Sequence, residues 1–157
     1  MATTGQPVPE VQSEVLQTKV MTQLAFKGQC REAFELYERV LGGKISVMNT
    51  FAGSDAKLPP GSTASAPDQI RFAELKVGGY AILGNDVPAH DYKPAQGFNI
   101  ALHVKTALEA RRIFNAQSDG GRVVTPLSAV AWSSAFGIVT DRFGTPWLVL
   151  ALDKEVG

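Results

Sequence analysis

The chain has 157 residues, 45% of them hydrophobic, which suits a single domain with a substantial buried core. Its 15 basic and 15 acidic residues give a formal net charge of zero, and the basic residues form no run. Long-range attraction to nucleic acid or to an anionic membrane surface is therefore not expected. The single cysteine excludes an intrachain disulfide and a thiolate zinc cluster, so we expect a reducing, cytoplasmic environment.

The first 17 residues contain no Lys or Arg and no apolar run, but they include Pro7 and Pro9. This composition fits neither a secretory signal nor a transmembrane span in that stretch. It predicts a disordered leader over residues 1–17. We expect residues 18–157 to form one domain.

A repeat with an offset of 78 residues organises this domain. Residues 21–28 and 99–106 both alternate apolar and polar side chains, as strands with one buried face do. The apolar faces are formed by Thr22, Leu24, Phe26, Ile100, Leu102 and Val104. The residues that alternate with these point to the other face of each strand, where we expect a cleft. They are Met21, Gln23, Ala25, Asn99, Ala101 and His103.

A helix follows each of these strands, at about residues 30–41 and 107–117, with an apolar stripe along one side. Cys30 begins the first helix, where we expect a small buried side chain rather than a reactive thiol. Both helices end before a glycine pair, Gly42-Gly43 or Gly120-Gly121, which supplies a left-handed cap before the next strand.

Two further strands, joined by a glycine-containing turn, complete each unit. The order β-α-β-β-β thus occurs twice and predicts an α+β fold. We expect module 1 over about residues 19–86, a proline-containing linker over 87–96 and module 2 over about 97–152. Because each helix covers only one face of a curved sheet, the two modules should form a cupped mixed sheet around a central cleft.

Several motifs resemble the PhnB-like branch of the vicinal oxygen chelate superfamily, which includes glyoxalases, bleomycin-resistance proteins and dioxygenases. One motif is Phe26-Lys-Gly-Gln-Cys-Arg-Glu-Ala-Phe-Glu-Leu-Tyr37, and the later motifs run from Gly120-Gly121-Arg122-Val123 to Asp141-Arg-Phe-Gly144 and Trp147. The resemblance covers about residues 20–152. It implies the vicinal oxygen chelate fold, a small-molecule cleft and a homodimer, but it does not name a reaction.

The resemblance also implies where the superfamily's metal enzymes hold a divalent ion. The corresponding positions are Met21 and Asn99 in the first strands, and Ile82 or Leu83 and Leu148 in the last strands. None of the last-strand residues carries a carboxylate. The single amide of Asn99 supplies too little charge and too few donor atoms to hold a hard or borderline metal ion. We therefore expect no bound metal; the alternative is a divalent metal whose ligands are not recognised.

Three residues are candidates for acid–base chemistry or metal binding. His103 should face the cleft, either as a ligand or general base or as a hydrogen-bonded residue in a wet cavity. Glu74 either points into the cleft or is exposed on a strand, and His90 in the linker should lie in solvent. Gln23 and Asn99 would orient a bound molecule.

Aromatic side chains are the stronger signal for a ligand. Four from separate strands and loops could line the cleft, or could fill the core or a dimer interface: Phe51, Phe72, Trp132 and Phe136. Trp132 lies in a loop-like segment, residues 127–134, and is assigned to the cleft. Trp147 is assigned to the core.

Residues 52–67 are rich in Gly, Pro and Ser, which is typical of either a lid or a disordered loop. No glycine pattern resembles a phosphate loop or a dinucleotide fingerprint, and nothing suggests an S-adenosylmethionine fold. The sequence thus predicts a protein that binds a small, partly aromatic or apolar molecule without a metal. The alternative is an enzyme of lyase, isomerase or dioxygenase type with His103 or Glu74 as general base.

Overall fold

The structure is a computed structural model that describes residues 17–154, so the predicted leader lies outside the described residues apart from Gln17. Within this range no helix is long and apolar enough to cross a membrane. The elements are β1 Thr22–Phe26, α1 Cys30–Leu41, β2 Lys44–Thr50, β3 Ile70–Val77, β4 Tyr80–Asp86, a 3-10 turn Ala89–Asp91, β5 Ile100–Val104, α2 Ala107–Ser118, β6 Arg122–Val130, β7 Ser133–Thr140 and β8 Pro146–Ala151.

The strands form two four-stranded sheets, in the orders β1-β4-β3-β2 and β5-β8-β7-β6. In each sheet the first strand pairs in parallel with the last strand, and the other neighbours are antiparallel. This arrangement confirms the α+β fold of two tandem βαβββ modules. In the described part of the chain, hydrogen bonds join strands only within a module, so β1 and β5 each keep one unpaired edge.

Each helix packs its apolar side on one face of its own sheet, as the sequence pattern predicts. The buried side chains of α1 include Ala33, Phe34 and Val40, and those of α2 include Ile113 and Phe114. The opposite faces of the sheets are uncovered by any helix of the described chain, and we refer to them as the open faces. These open faces carry the residues that the parity of the sequence assigned to a cleft.

Two glycines inside strands allow the helices to approach the sheets closely. A Cβ atom on Gly84 would lie 2.6 Å from the ring of Phe34, and a Cβ atom on Gly137 would lie 2.7 Å from the ring of Phe114. Glycine within a strand usually marks such a close approach. In both modules, therefore, a glycine within a strand allows an aromatic ring of the helix to pack directly on the sheet.

A buried carboxylate fixes the start of α1, which has no side-chain cap of its own. Asp86, at the end of β4, accepts hydrogen bonds from the backbone N–H groups of Gly28 and Cys30 at 3.0 Å and of Ile70 at 2.7 Å. These bonds satisfy both the buried carboxylate and donors at the helix start. Cys30 itself is fully buried, as predicted.

The two modules meet where α1 packs against the turn between β7 and β8, a contact we call the module junction. Tyr37 of α1 donates to Asp141 Oδ2 at 2.6 Å, and its oxygen lies 2.9 Å from Thr145 Oγ1. The indole of Trp147 donates to the same Asp141 oxygen at 2.8 Å. In addition, Arg112 of α2 donates to the carbonyl of Val40 at 2.8 Å. Hydrogen bonds between polar groups, most of them on buried side chains, thus join the two modules.

The segment predicted to be loop-like, residues 127–134, is largely strand in the structure. β6 continues to Val130 and β7 begins at Ser133, which leaves a two-residue turn at Ala131 and Trp132. Pro126 lies within β6, and this is tolerated because β6 is an edge strand with several register shifts. Trp132 is therefore presented by a tight turn rather than by a long loop.

Candidate ligand-binding groove

Strand register arranges the open-face residues in rows, because directly paired residues point to the same side of a sheet. In the first sheet one row is Gln23, Leu83, Glu74 and Val47. In the second sheet one row is His103, Leu150, Phe136 and Ser128. Glu74 therefore points to the open face, where its side chain is 23% exposed.

A groove of about 630 Å³ lies between the two modules. Module 1 supplies one wall from the start of β1, the end of α1 and the β3–β4 hairpin, and module 2 supplies the other wall from β5 and α2. The lining residues are Val20, Met21, Thr22, Leu41, Val77, Tyr80, Ala81, Ile82, Asn99, Ile100, Ala101, Leu102, His103, Val104, Glu109 and Ile113. The lining is mostly apolar, and the unpaired edge of β5 forms part of it.

Three polar side chains interrupt this apolar lining. Asn99 and His103 are exposed to the groove and form no side-chain hydrogen bond with any residue in the range 17–154. Glu109, by contrast, accepts two hydrogen bonds from Arg112, at 3.0 and 2.6 Å. The hydrogen bond from Arg112 lowers the pKa of Glu109. Asn99 and His103 are thus the groove side chains that are free to hydrogen-bond a ligand.

A second pocket of about 420 Å³ adjoins the groove and is called here the adjoining pocket. Both spaces share four lining residues, Val20, Met21, Tyr80 and Ala81. The remaining lining residues of the adjoining pocket are Lys19, Glu74, Lys76, Gly78 and Gly79. The two pockets are therefore adjacent, and we refer to them together as the depression, which has an apolar part and a charged part.

Glu74 is held in place within the adjoining pocket. Its Oε1 accepts a hydrogen bond from Ser46 at 2.5 Å, and Lys76 Nζ lies 3.9 Å away. His103 does not line this pocket, and Glu74 does not line the groove. The two residues that the sequence offered as general bases are thus placed in different parts of the depression.

The aromatic candidates separate into two groups. Trp132 is 51% exposed and packs edge-on against Phe136, with ring centroids 6.1 Å apart. Phe136 lies in the same row as His103, on the open face of the second sheet. Phe51 and Phe72 are half-buried at the far end of the first sheet. None of these four aromatic residues lines the groove or the adjoining pocket. Trp147 is fully buried, as predicted.

The positions at which the superfamily holds a metal do not fit one in this chain. Leu83 and Leu148 occupy the open-face positions of the last strands and are paired with Gln23 and Ala101. Ile82, the other candidate, is 8% exposed and faces the helix side. Within residues 17–154 no group of three or more His, Cys, Asp or Glu side chains could hold a metal ion. Neutral apolar side chains offer no donor for a divalent ion. His90, the remaining candidate ligand, has a side chain 74% exposed in the linker, as predicted.

Several groove residues were missed by the sequence interpretation. Tyr80, Leu41 and Ile113 line the groove, but they belong to a hairpin and to two helices that no local pattern brings together. One signal was available for Tyr80, which is a large aromatic residue directly after the Gly78-Gly79 turn and is 84% exposed. Lys19 and Lys76 are separated by 56 intervening positions and gave no local signal.

Comparison with known proteins agrees with the fold and with the motifs. A family model described as 3-demethylubiquinone-9 3-methyltransferase matches residues 18–150. Protein YjdN of Escherichia coli (strain K12) is 28% identical over 139 residues, covering 84% of this chain and 94% of that protein. The structure of PA1353 from Pseudomonas aeruginosa matches with a TM-score of 0.77 and 38% identity, covering 86% of this chain and 98% of that chain. A PhnB protein from Bacillus cereus shares the fold, with a TM-score of 0.71, 20% identity and coverage of 85% and 99%.

The paired βαβββ modules have the fold of the vicinal oxygen chelate superfamily, which the sequence motifs also resemble. The chain belongs to the 3-demethylubiquinone-9 3-methyltransferase family. The name of the family describes one reaction, but it assigns no chemistry to the groove of this chain.

Proposed function

We propose that this protein binds a small, largely apolar molecule in the groove, without a bound metal. The observation that carries the proposal is the groove itself, a space of about 630 Å³ with mostly apolar walls and two free polar side chains. Ligand sites in proteins commonly combine such a volume with a few oriented polar groups. Asn99 and His103 would supply those groups, and each hydrogen bond would contribute about 1 kcal/mol.

Binding is supported better than catalysis by the geometry of the candidate bases. A general base is normally oriented by a second group, and within the described residues His103 has no hydrogen-bonded partner that would orient its ring. Glu74 is engaged by Ser46 and lies in the adjoining pocket. An enzyme that uses either residue as a general base is therefore the weaker proposal.

Aromatic residues on the open face of the second sheet lie outside the groove, and we propose that they contact an aromatic part of the ligand only where it extends beyond the groove. Trp132 and Phe136 form an edge-to-face pair there, and Phe136 belongs to the row that contains His103. Stacking on such rings contributes on the order of 1 kcal/mol beyond the burial of area. Gln23, Phe51 and Phe72 lie on the open face or at the end of the first sheet, and we propose that they contact a ligand only where it extends beyond the groove.

Titration with N-phenyl-1-naphthylamine, a neutral aromatic probe that fluoresces in apolar surroundings, tests the proposal. Ala101 is exposed and lines the groove, so Ala101→Phe should fill the space and weaken probe binding at least about tenfold, a loss of roughly 1.4 kcal/mol. Ala89→Phe, at an exposed position in the linker, is the matched control and should bind as the wild type does. Binding by the wild type should also survive a chelator.

No saturable binding by the wild type, or equal affinity in the Ala101→Phe variant, would refute the assignment of the groove. Loss of binding after chelation would show that a metal takes part.

We also propose a homodimer, in which a second copy covers the open face of the second sheet. That face carries half-buried Leu150, and the turn beside it carries exposed Trp132; burial of these apolar side chains would be favourable. Light scattering should give twice the chain mass of 16.8 kDa. A mass equal to one chain at micromolar concentration would contradict the dimer. The free, buried thiol of Cys30 supports a cytoplasmic location.

A further inference from the structure

We infer that the adjoining pocket is an anion subsite, so that the ligand is an apolar or aromatic molecule that carries a carboxylate, sulfonate or phosphate group. This inference rests on the proposed function of the groove and names the chemical class of its ligand. It depends on side chains that the sequence keeps far apart, and which lie together only on the first sheet and the segment before β1.

The adjacency of the two spaces is the first argument. The groove and the adjoining pocket share Val20, Met21, Tyr80 and Ala81, so they meet at these residues, and a ligand long enough to pass over them would occupy both. The shared residues are mainly apolar, whereas the far end of the adjoining pocket is lined by Lys19 and Lys76. A ligand that fills both spaces meets an apolar section first and ammonium groups at its end.

The placement of Lys76 is the second argument. In the β2–β3 register Lys76 is directly opposite Lys44, so two ammonium groups lie on the same face of the sheet. Like charges at directly opposite positions are destabilising. With Lys19 nearby in the pocket lining, this end of the sheet has an excess of positive charge although the chain as a whole is neutral. An anion bound there would offset the repulsion.

The carboxylates of the depression cancel only part of this charge. Glu109 is paired with Arg112, which lines neither space, so its charge is already matched. Glu74 is hydrogen-bonded to Ser46 and forms an ion pair with Lys76 at 3.9 Å, so it offsets the charge of one lysine. Lys19 and Lys44 form no ion pair with any residue in the range 17–154. This end of the sheet therefore keeps a net positive charge, which favours an anionic ligand over a cationic one.

Two probes with the same ring skeleton separate this inference from the proposed function. N-phenyl-1-naphthylamine is neutral, and 8-anilinonaphthalene-1-sulfonate adds one sulfonate. We expect Lys76→Gln to weaken sulfonate-probe binding about threefold to tenfold, and Lys19→Gln combined with Lys76→Gln to weaken it by about tenfold or more. Neither variant should change the affinity of the neutral probe by more than about twofold.

Lysine at an exposed position outside the depression provides the control. Lys57→Gln, in the segment between β2 and β3, should leave the affinities of both probes unchanged. Raising NaCl from about 0.05 M to about 0.5 M should weaken the sulfonate probe in the wild type more than in the double variant, because salt screens the ammonium charges.

Each outcome decides between the two proposals. If the neutral probe binds and the lysine variants weaken the sulfonate probe no more than Lys57→Gln does, the anion subsite is wrong and the groove remains. If the lysine variants weaken both probes equally, the lysines act on the shape of the site and the subsite is again wrong. If the neutral probe does not bind to the wild type, the proposed function fails, and the inference fails with it.

Discussion

Replacement of Asp141 with Asn is expected to lower the free energy of unfolding by about 3–5 kcal/mol, the largest single effect we foresee. Its two carboxylate oxygens accept from Tyr37, from the Trp147 indole, and from the backbone N–H groups of Phe143 and Thr145. Asp141 is 4% exposed, so water cannot replace a lost acceptor. An amide would turn one of these acceptor positions into a donor that faces two other donors.

Thermal or urea unfolding measures this effect. With about 2–4 °C per kcal/mol for a domain of this size, the Asp141→Asn variant should melt roughly 10 °C below the wild type. Asp119→Asn, which changes an exposed carboxylate just after α2, is the matched control and should melt within about 1 °C of the wild type. Tyr37→Phe removes the hydroxyl that bonds to Asp141 and Thr145 but leaves the other three donors to Asp141, and it should cost about 1–2 kcal/mol. A melting temperature of Asp141→Asn equal to that of Asp119→Asn would contradict the role assigned to the module junction.

The second large effect is a loss of stability at alkaline pH. Burial, followed by the charge of Asp86, raises the pKa of the Cys30 thiol well above its ordinary value of 9.0. Burial, followed by the charge and the hydrogen bond of Asp141, raises the pKa of Tyr37 well above its ordinary value of 10.0. Both groups stay neutral in the folded protein at pH values where the unfolded chain has already ionised.

Because both pKa values are raised by folding, the free energy of unfolding decreases as the pH rises. Each group contributes its full stability below its unfolded pKa, and that contribution is lost as the pH rises toward the folded pKa. The loss is about 1.4 kcal/mol per pH unit for each group, beginning near pH 9 for the thiol and near pH 10 for the phenol. By pH 11 the two groups together should cost about 4 kcal/mol.

Urea unfolding at a series of pH values between about 8 and 11 tests this prediction. Cys30→Ala should remove the decrease that begins near pH 9, and Tyr37→Phe should remove the additional decrease above pH 10. Both variants lower the stability at neutral pH, so the slope against pH is the informative quantity. Tyr80→Phe changes an exposed phenol and should keep the slope of the wild type. An unchanged slope in both core variants would show that other groups cause any alkaline unfolding.

The sequence by itself determined the modules and the faces of their strands. Alternation with a period of two separates Gln23 from Leu24 and His103 from Leu102, because neighbouring strand residues point to opposite faces. The structure buries Leu24 and leaves Gln23 and His103 exposed on the open faces. The repeat of strand, helix and glycine cap predicted the order of elements in both modules, since these are local properties of the chain. Trp147, assigned to the core, is fully buried.

Only the tertiary structure decided which open-face residues meet. The groove depends on how α1 packs against the β7–β8 turn, and the contacts that fix this packing join residues about a hundred positions apart, such as Tyr37 and Asp141. No local pattern encodes a hydrogen bond across that separation. The same packing placed Asn99 and His103 in the groove and left all four candidate aromatic residues outside it. The positive end of the depression arises in the same way, since β-strand register alone sets Lys76 opposite Lys44, and the path of the chain before β1 adds Lys19.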